Sequence, residues 1–437
     1  MGNSLKSISP KLFRQESSSV ARGVIDMMDD IEIRNEAAAQ RDYVIGCRRA
    51  IHRFAETSGR EVRTSAFIKQ QLDEIGIPYE SLVKTGIIGI LDTGRAGPHI
   101  ALRADIDALP LPENPDNLKR ARVVISDTPD ETCHACGHDA HTAMLLGASK
   151  VLRKHIGELT GVIYLCFEEG EENGGGIQVM LDTLATKKVD SCWGIHVYNA
   201  LESGKICVQA GPRMAGAIRV ELTFVGRGGH GSRPDLSINP VFCAANFVNN
   251  LAVAFVNQID ANETVTCGIT AIQGGQVANV IPDTATVLGS LRFFSMSEGD
   301  KAVRILHEVA ENTARMHRCS VEYNEKYNKI SVGPTINDPY YSELAAKALD
   351  AVLPSGTVSP CAPWYASDSF SLWLNRYPGV YAHLGINNPE YGSGAPHHNS
   401  YFDVDENVLD IGLIATLKYV NALGEEATPG QASKEKA

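Results

Sequence analysis

Residues 133–142 read CHACGHDAHT, which sets two cysteines and three histidines within ten residues. Thiols and imidazoles are soft and borderline ligands, so this density raises the question of a metal. A zinc ribbon or finger needs a second ligand pair at short spacing, and Cys133 and Cys136 form the sole CxxC of the chain. A thioredoxin-type motif would put CxxC at a helix start, but the His138 and Asp139 that follow have no redox role. The plain alternative is a polar turn of satisfied histidines.

Three further segments change that balance. After the strand-like GVIYLCF comes EEGEENGGG, four carboxylates before a glycine turn, at the strand end where α/β sheets present active sites. His196 follows CWGI, and PHHNSYFDVDE supplies His397 and His398. One cysteine, several histidines and a glutamate around a cleft suit Zn²⁺, Co²⁺, Ni²⁺ or Mn²⁺ better than Ca²⁺ or Mg²⁺. The adjacent Glu171 and Glu172 can divide labour, one coordinating metal while the other takes a proton from water, which is hydrolytic chemistry. A solvated acidic loop is the alternative for EEGEE.

Elements must bring these segments together. Apolar residues recur at helical spacing over Asp42–Ala55 and Thr64–Ile75. GIIGILDT, HIALRAD, GVIYLCF and CWGIHV are short apolar runs bounded by Gly, Pro or Asp, with helical patterns between several of them, so an α/β sheet with covered faces is predicted. AHTAMLLGASKVLRKHIG reads as a helix of the same layer. From about residue 211 the pattern changes to strand, helix, strand, strand, helix, strand, a small split βαβ unit of ferredoxin-like type with one exposed sheet face. The predicted division is 1–211 for the first part of the larger domain, 212–328 for the inserted unit and 329–437 for the return. Residues 1–40 read as a loose or helical lead-in, and a polar, disordered tail is expected from about residue 424.

Bulk properties narrow the class. The 437 residues exceed one ordinary core, and 43% hydrophobic with 21% charged residues is globular composition. A net charge of −12 argues against nucleic acid or an anionic membrane as partner. No run approaches the roughly 18 apolar residues of a membrane span, and the start lacks the apolar core of a signal peptide, so a cytoplasmic location is expected. Gly2 invites a myristoylation reading, which Lys6 opposes. Ten cysteines are too sparse for a disulfide scaffold.

Taken in order, IHRFAETSGREVRTSAFIKQQLDEIGI, HIALRADIDALP, CHACGHDAHTAMLLGASKVL, FEEGEENGGG, GIHV, GRGGHGSRPD, GGQVANVIPDTATVLGSLR and PHHNSYFDVDENVL resemble the two-metal aminoacylase and carboxypeptidase family, which includes hippurate hydrolases, indole-acetyl amino acid hydrolases and aminobenzoyl-glutamate hydrolase. The resemblance runs from about residue 42 to residue 420. It implies a zinc-peptidase-like three-layer α/β catalytic domain with a mixed sheet, plus an inserted α+β lid and dimerisation domain. Cys136 then bridges two divalent ions (Zn, Mn, Co or Ni), with His138 and His196 completing one site and Glu172 and His398 the other. His397 is the alternative to His398, which lies four residues before Phe402 as the motif spacing suggests. Glu171 is implied as general base, drawing a proton from the attacking water and returning it to the leaving amine. Asp105 or Asp139 is expected to bond a ligand histidine. His230 matches a histidine that reaches the partner subunit's site to stabilise the oxyanion, and Asn279 and Arg292 fall where the family binds the free carboxylate. Two departures stand out. FEEGEENGGG replaces the usual FQPAEEGGGG, so Glu168 and Glu169 form an alternative register for the paired glutamates. Asp368–Ser369 replaces the Glu–Asp of EDF. The implied activity is metal-dependent cleavage of N-acyl or N-aroyl amino acids by a homodimer or higher homo-oligomer, with Pro363, Trp364, Tyr365 and Phe370 as candidates to line an acyl pocket. The alternatives are a dipeptidase or carboxypeptidase, or a non-catalytic binding relative.

Overall fold

The structure, a computed structural model, describes residues 27–427. The Ser-rich start with Gly2 and Lys6, and the end of the polar tail, lie outside the described residues. The chain opens with helices α1 (Asp30–Phe54) and α2 (Val62–Ile75), then β1 (Tyr79–Ser81), β2 (Ile87–Asp92) and β3 (His99–Asp105). There follow α3 (His138–Lys154), β4 (Val162–Glu168), α4 (Ile177–Leu184), β5 (Ser191–Glu202), β6 (Ile206–Cys207) and β7 (Gly211–Met214). Asp29 accepts the N–H groups of Ile31 and Glu32, both at 2.8 Å, which satisfies two open donors of α1. The helix therefore starts at Asp30, ahead of the Asp42 that periodicity suggests, because Ile33 and Ala37 extend the buried stripe of Val44, Cys47 and Ile51.

The second unit comprises β8 (Gly216–Val225), β9 (Gly229–His230), α5 (Pro240–Gln258), β10 (Val265–Gln273), β11 (Val280–Ile281), β12 (Thr284–Phe293), α6 (Met296–Met316), β13 (Ser320–Tyr323) and β14 (Ile330–Val332). The return runs through β15 (Thr335–Asn337), α7 (Pro339–Val352), α8 (Phe370–Leu374), β16 (Gly379–Asn387) and α9 (Leu409–Ala427). Helix α9 carries on through Gly424, Glu425 and Glu426, where a disordered tail was expected to begin. Asn421 anchors it there by donating to the carbonyl of Met28 at 3.0 Å.

The large sheet has the order β1-β2-β4-β3-β5-β16-β6. β3 runs parallel to β4 and β5, and β5 parallel to β16, while the β1–β2, β2–β4 and β16–β6 pairs are antiparallel. Alternation along β4 builds three layers: Ile163, Leu165 and Phe167 pack with α1, α3, α7 and α9, whereas Tyr164 and Cys166 pack with α4 and α8. Burying a side chain such as Phe167 is worth about 1.5–3 kcal/mol, so a polar residue at any of these positions opposes the layer it faces.

The smaller sheet is antiparallel with the order β10-β12-β8-β13, and β14 also pairs with β8. β12 thus splits the β8-α5-β10 unit, the expected ferredoxin-like arrangement. Ile218, Val220, Leu222 and Phe224 of β8 face α5 and α6, leaving Arg219, Glu221 and Thr223 on the opposite, open face. Among the described residues, Pro240–Gln258 is the one helix long and apolar enough to cross a membrane by length and composition. It lays Cys243, Ala244, Phe247, Leu251 and Phe255 against this sheet.

Candidate metal centre and cleft

The cluster gathers the start of α3, the turn after β4, the middle of β5 and the loop after β16. Gly137 caps α3 at φ 90°, and a Cβ there would lie 2.3 Å from Val197 Cγ2, so glycine alone fits the turn between Cys136 and His138. Gly170 and Gly174, both at positive φ, bracket the short turn Glu171–Asn173 after β4. His398 comes from the other end of the chain and is itself at φ 58°, an uncommon conformation for a residue with a side chain. Its N–H donates to the carbonyl of Ala135 at 2.9 Å, which ties the PHH turn to the cysteine loop.

Two groups of potential ligand atoms, each within 4.8 Å, share Cys136: Cys136, His138 and His196 in one, Cys136, Glu172 and His398 in the other; His138 also groups with Glu171 and Glu172, and with Asp105 and His141. Cys136 Sγ lies 3.6 Å from His196 Nε2. Glu172 Oε1 lies 3.2 Å from His398 Nε2 and 3.9 Å from His138 Nε2. His397 packs between Trp364 and Phe402 with ring centroids 4.5 and 4.7 Å away, and its Nε2 accepts the N–H of Asn199 at 3.4 Å.

Hydrogen bonds fix which imidazole nitrogens face the centre. His196 Nδ1 donates to the carbonyl of Val197 at 2.6 Å, leaving Nε2 toward Cys136. His138 Nδ1 donates to Asp107 Oδ1 at 3.0 Å, leaving Nε2 with no hydrogen-bond partner although buried; Glu172 Oε1, 3.2 Å from His398 Nε2, likewise has no hydrogen-bond partner. Asp107, unread in the sequence, is therefore the carboxylate on His138. Of the expected candidates, Asp105 keeps an ion-pair contact to His138, Oδ2 to Nε2 at 3.5 Å, while its hydrogen bonds and those of Asp139 go elsewhere. Asp105 bonds His141 Nδ1 at 2.7 Å and Arg103 at 2.7 Å, and Asp139 bonds Arg48 and His52, each at 2.8 Å. The signal available was the second aspartate of RADID: at alternating strand positions, both carboxylates reach one edge. Burial and the facing Glu172 carboxylate push the Cys136 thiol well above its usual range, so a thiolate there needs cations beside it.

Glu171 lines the same cleft, and its Oε1 accepts the N–H of Ser369 at 2.8 Å. Burial, then the Asp368 and Glu172 carboxylates, raise it well above the ordinary carboxylate range. Glu168 and Glu169 serve the frame instead. Glu168 accepts from Arg103, Ser369 and Trp373 at 2.8, 2.7 and 2.9 Å, and Glu169 accepts from Thr85 Oγ1 and Gly86 N–H, each at 2.7 Å.

The cleft has a volume of about 760 Å³. Arg292 lines it, with Nε donating to the carbonyl of Tyr365 at 3.2 Å. Ile177, Met214, Val332, Trp364 and Leu372 supply an apolar wall. Of the four residues proposed for an acyl pocket, Trp364 alone lines it: Phe370 is fully buried against Tyr381, and Tyr365 packs on Phe294. His230 and Asn279 are exposed and sit outside this cleft, side by side on the β9–β11 ribbon, where His230 pairs with Val280.

Residues 101–421 match the family model for peptidase family M20/M25/M40. The chain is 32% identical over 374 residues to IAA-amino acid hydrolase ILR1-like 4 of Arabidopsis thaliana, covering 85% of this chain and 83% of that protein. It is 33% identical over 393 residues to thermostable carboxypeptidase 1 of Saccharolobus solfataricus, covering 89% and 97%. A Bacillus subtilis structure described as a dinuclear metal binding peptidase superposes with TM-score 0.74 at 28% identity, covering 89% of this chain and 99% of its own. The chain belongs to peptidase family M20/M25/M40.

Proposed function

We propose that the protein is a metal-dependent amidohydrolase that cleaves the amide bond of an N-acyl or N-aroyl amino acid and releases an amino acid with a free carboxylate. The observation that carries this reading is the pair of donor groups sharing Cys136 Sγ, with His138 Nε2 and Glu172 Oε1 buried and without a hydrogen-bond partner. That donor set would hold two divalent cations of the Zn, Mn, Co or Ni type, with Cys136, His138 and His196 available to one and Cys136, Glu172 and His398 to the other. The chemistry supplied by bound cations is Lewis acidity toward the amide carbonyl and easier proton loss from water.

The chain's own groups do the rest. Asp107 and the carbonyl of Val197 hold the two imidazoles in the tautomer that presents Nε2. Glu171, kept basic by its neighbours and aimed by the N–H of Ser369, accepts the proton of the attacking water and delivers it to the leaving nitrogen. Arg292 takes the substrate carboxylate, and the apolar wall around Trp364 takes the acyl group. We assign His230 and Asn279 to the cleft of a second copy, where the imidazole stabilises the oxyanion and the amide helps hold the carboxylate. The exposed edge strand β10 offers the pairing surface for a homodimer. On this reading the inserted unit, expected over 212–328 and running from β8 through β14, is the lid, the segments before and after it form the catalytic body, and composition favours the cytoplasm.

Glu171→Gln tests the reading: turnover collapses while metal content stays normal, and unchanged turnover refutes the assignment. The likeness to a carboxypeptidase keeps peptide hydrolysis as the second reading. A panel of hippurate, an acetylated amino acid, aminobenzoyl-glutamate and a free dipeptide separates the two.

A further inference from the structure

The cleft does not end at Arg292. A second cavity of about 450 Å³ opens on the open face of the lid sheet and shares Ala217, Arg292 and Ser331 with the cleft. Register sets Arg292 opposite Ala217 and Ser290 opposite Arg219, so the two arginines are diagonal neighbours on one sheet face. Such positions lie about 7–8 Å apart, within reach of two long side chains acting on one small ligand.

Arg219 is held in place. Its guanidinium lies 3.9 Å over the Tyr327 ring, and Nη2 donates to Glu221 at 3.1 Å. Its Nε and Nη1 have no protein hydrogen bond among the described residues. Glu221 is itself partly spent on Asn324 Nδ2 at 3.0 Å. Ser290 Oγ accepts from Arg292 Nη1 at 2.7 Å, which leaves the serine proton to donate. No carboxylate lines the cavity, so two guanidinium groups and a hydroxyl donor face it against one carboxylate beside Arg219.

We propose that this face is a second anion subsite, which selects a leaving amino acid with an acidic side chain. Arg292 takes the main-chain carboxylate of the leaving amino acid, and Arg219 takes the side-chain carboxylate of aspartate or glutamate. The assignment rests on the amidohydrolase reading above. Charge-assisted hydrogen bonds from a guanidinium fork distinguish a carboxylate from an amide of the same shape.

The test compares kcat/KM for N-benzoyl-L-glutamate and N-benzoyl-L-glutamine on the metal-loaded full chain, in wild type, Arg219→Gln and Arg219→Glu. Wild type is expected to prefer the glutamate compound by about tenfold, chiefly through KM, as one net charged contact supplies. The ratio should fall toward unity in Arg219→Gln and below unity in Arg219→Glu. A general loss of folding lowers both substrates alike and is read separately from the thermal melting midpoint, so the ratio is compared only in variants that melt like wild type. An unchanged ratio in both variants, or no preference in wild type, overturns the subsite while the amidohydrolase reading stands. Hydrolysis of neither compound refutes that reading and the subsite with it.

Discussion

Replacing Asp107 by asparagine should weaken both cation sites at once, because this carboxylate serves one ligand of each. Its Oδ1 receives His138 Nδ1–H at 3.0 Å, and its Oδ2 receives the N–H of Glu172 at 3.1 Å and the Ser58 hydroxyl at 2.6 Å. Asparagine keeps a single acceptor oxygen. Either the imidazole or the Glu172 backbone then faces an NH₂ group, donor against donor. Losing such an outer partner typically costs about 10–100-fold in metal affinity, or roughly 1.4–2.7 kcal/mol. Asp107 is fully buried and hydrogen bonds to a charged acceptor lie in the same range, so solvent does not soften the loss. The assay is competition for Zn²⁺ against a chelating dye, with Ser58→Ala as the control that removes one donor and leaves both acceptor oxygens. Asp107→Asn should shift the half-saturation point by at least tenfold, and Ser58→Ala by little. Equal affinity in Asp107→Asn and wild type would refute the idea that this carboxylate orients the ligands.

Other outcomes follow from the same contacts. Glu168→Gln removes one of three carboxylates around the buried Arg103 and should cost about 3 kcal/mol in denaturant unfolding. Adding Ser369→Asp, which sets a carboxylate where the Ser369 hydroxyl now accepts from Arg103 at 2.9 Å, should recover at least half of it; no recovery contradicts the idea that negative charge around Arg103 sets the cost. His398→Ala should lower bound metal by about one ion per chain, as elemental analysis reads, whereas His397→Ala should retain both. Burial and Arg213 hold His383 down to about 3, against about 6.5 unfolded, so its contribution is complete above the unfolded value and is lost as pH falls from there. Between pH 7 and pH 5 that is about 2 kcal/mol, and His383→Gln should flatten the acid limb of the stability curve by this amount; identical limbs refute it.

Much of this architecture was legible because strand ends and ligands coincide in the chain. HIALRAD, GVIYLCF and CWGIHV each run straight into a chemistry-bearing residue, and alternation alone assigns their faces. Side-chain partnership was less legible. Asp105 ends β3 and Asp107 lies two residues beyond it, and the way α3 crosses them decides that His138 Nδ1 bonds the second and His141 Nδ1 the first. The paired glutamates were ambiguous for a related reason: four carboxylates in EEGEE look alike until Arg103 and the Thr85–Gly86 turn claim Glu168 and Glu169. Aromatic residues near Trp364 looked equivalent as pocket walls, yet stacking on Tyr381 draws Phe370 into the core. The early start of α1 came from the Asp29 cap, whose two bonds outweigh the polar character of the segment after it.

The central claim is that one thiolate joins two cation sites, and the metal content of Cys136→Ala tests it most directly. Elemental analysis of the purified, metal-equilibrated chain should give about two ions in wild type and fewer than one in the variant, since both donor groups lose their common member. Two ions retained in Cys136→Ala would contradict the account.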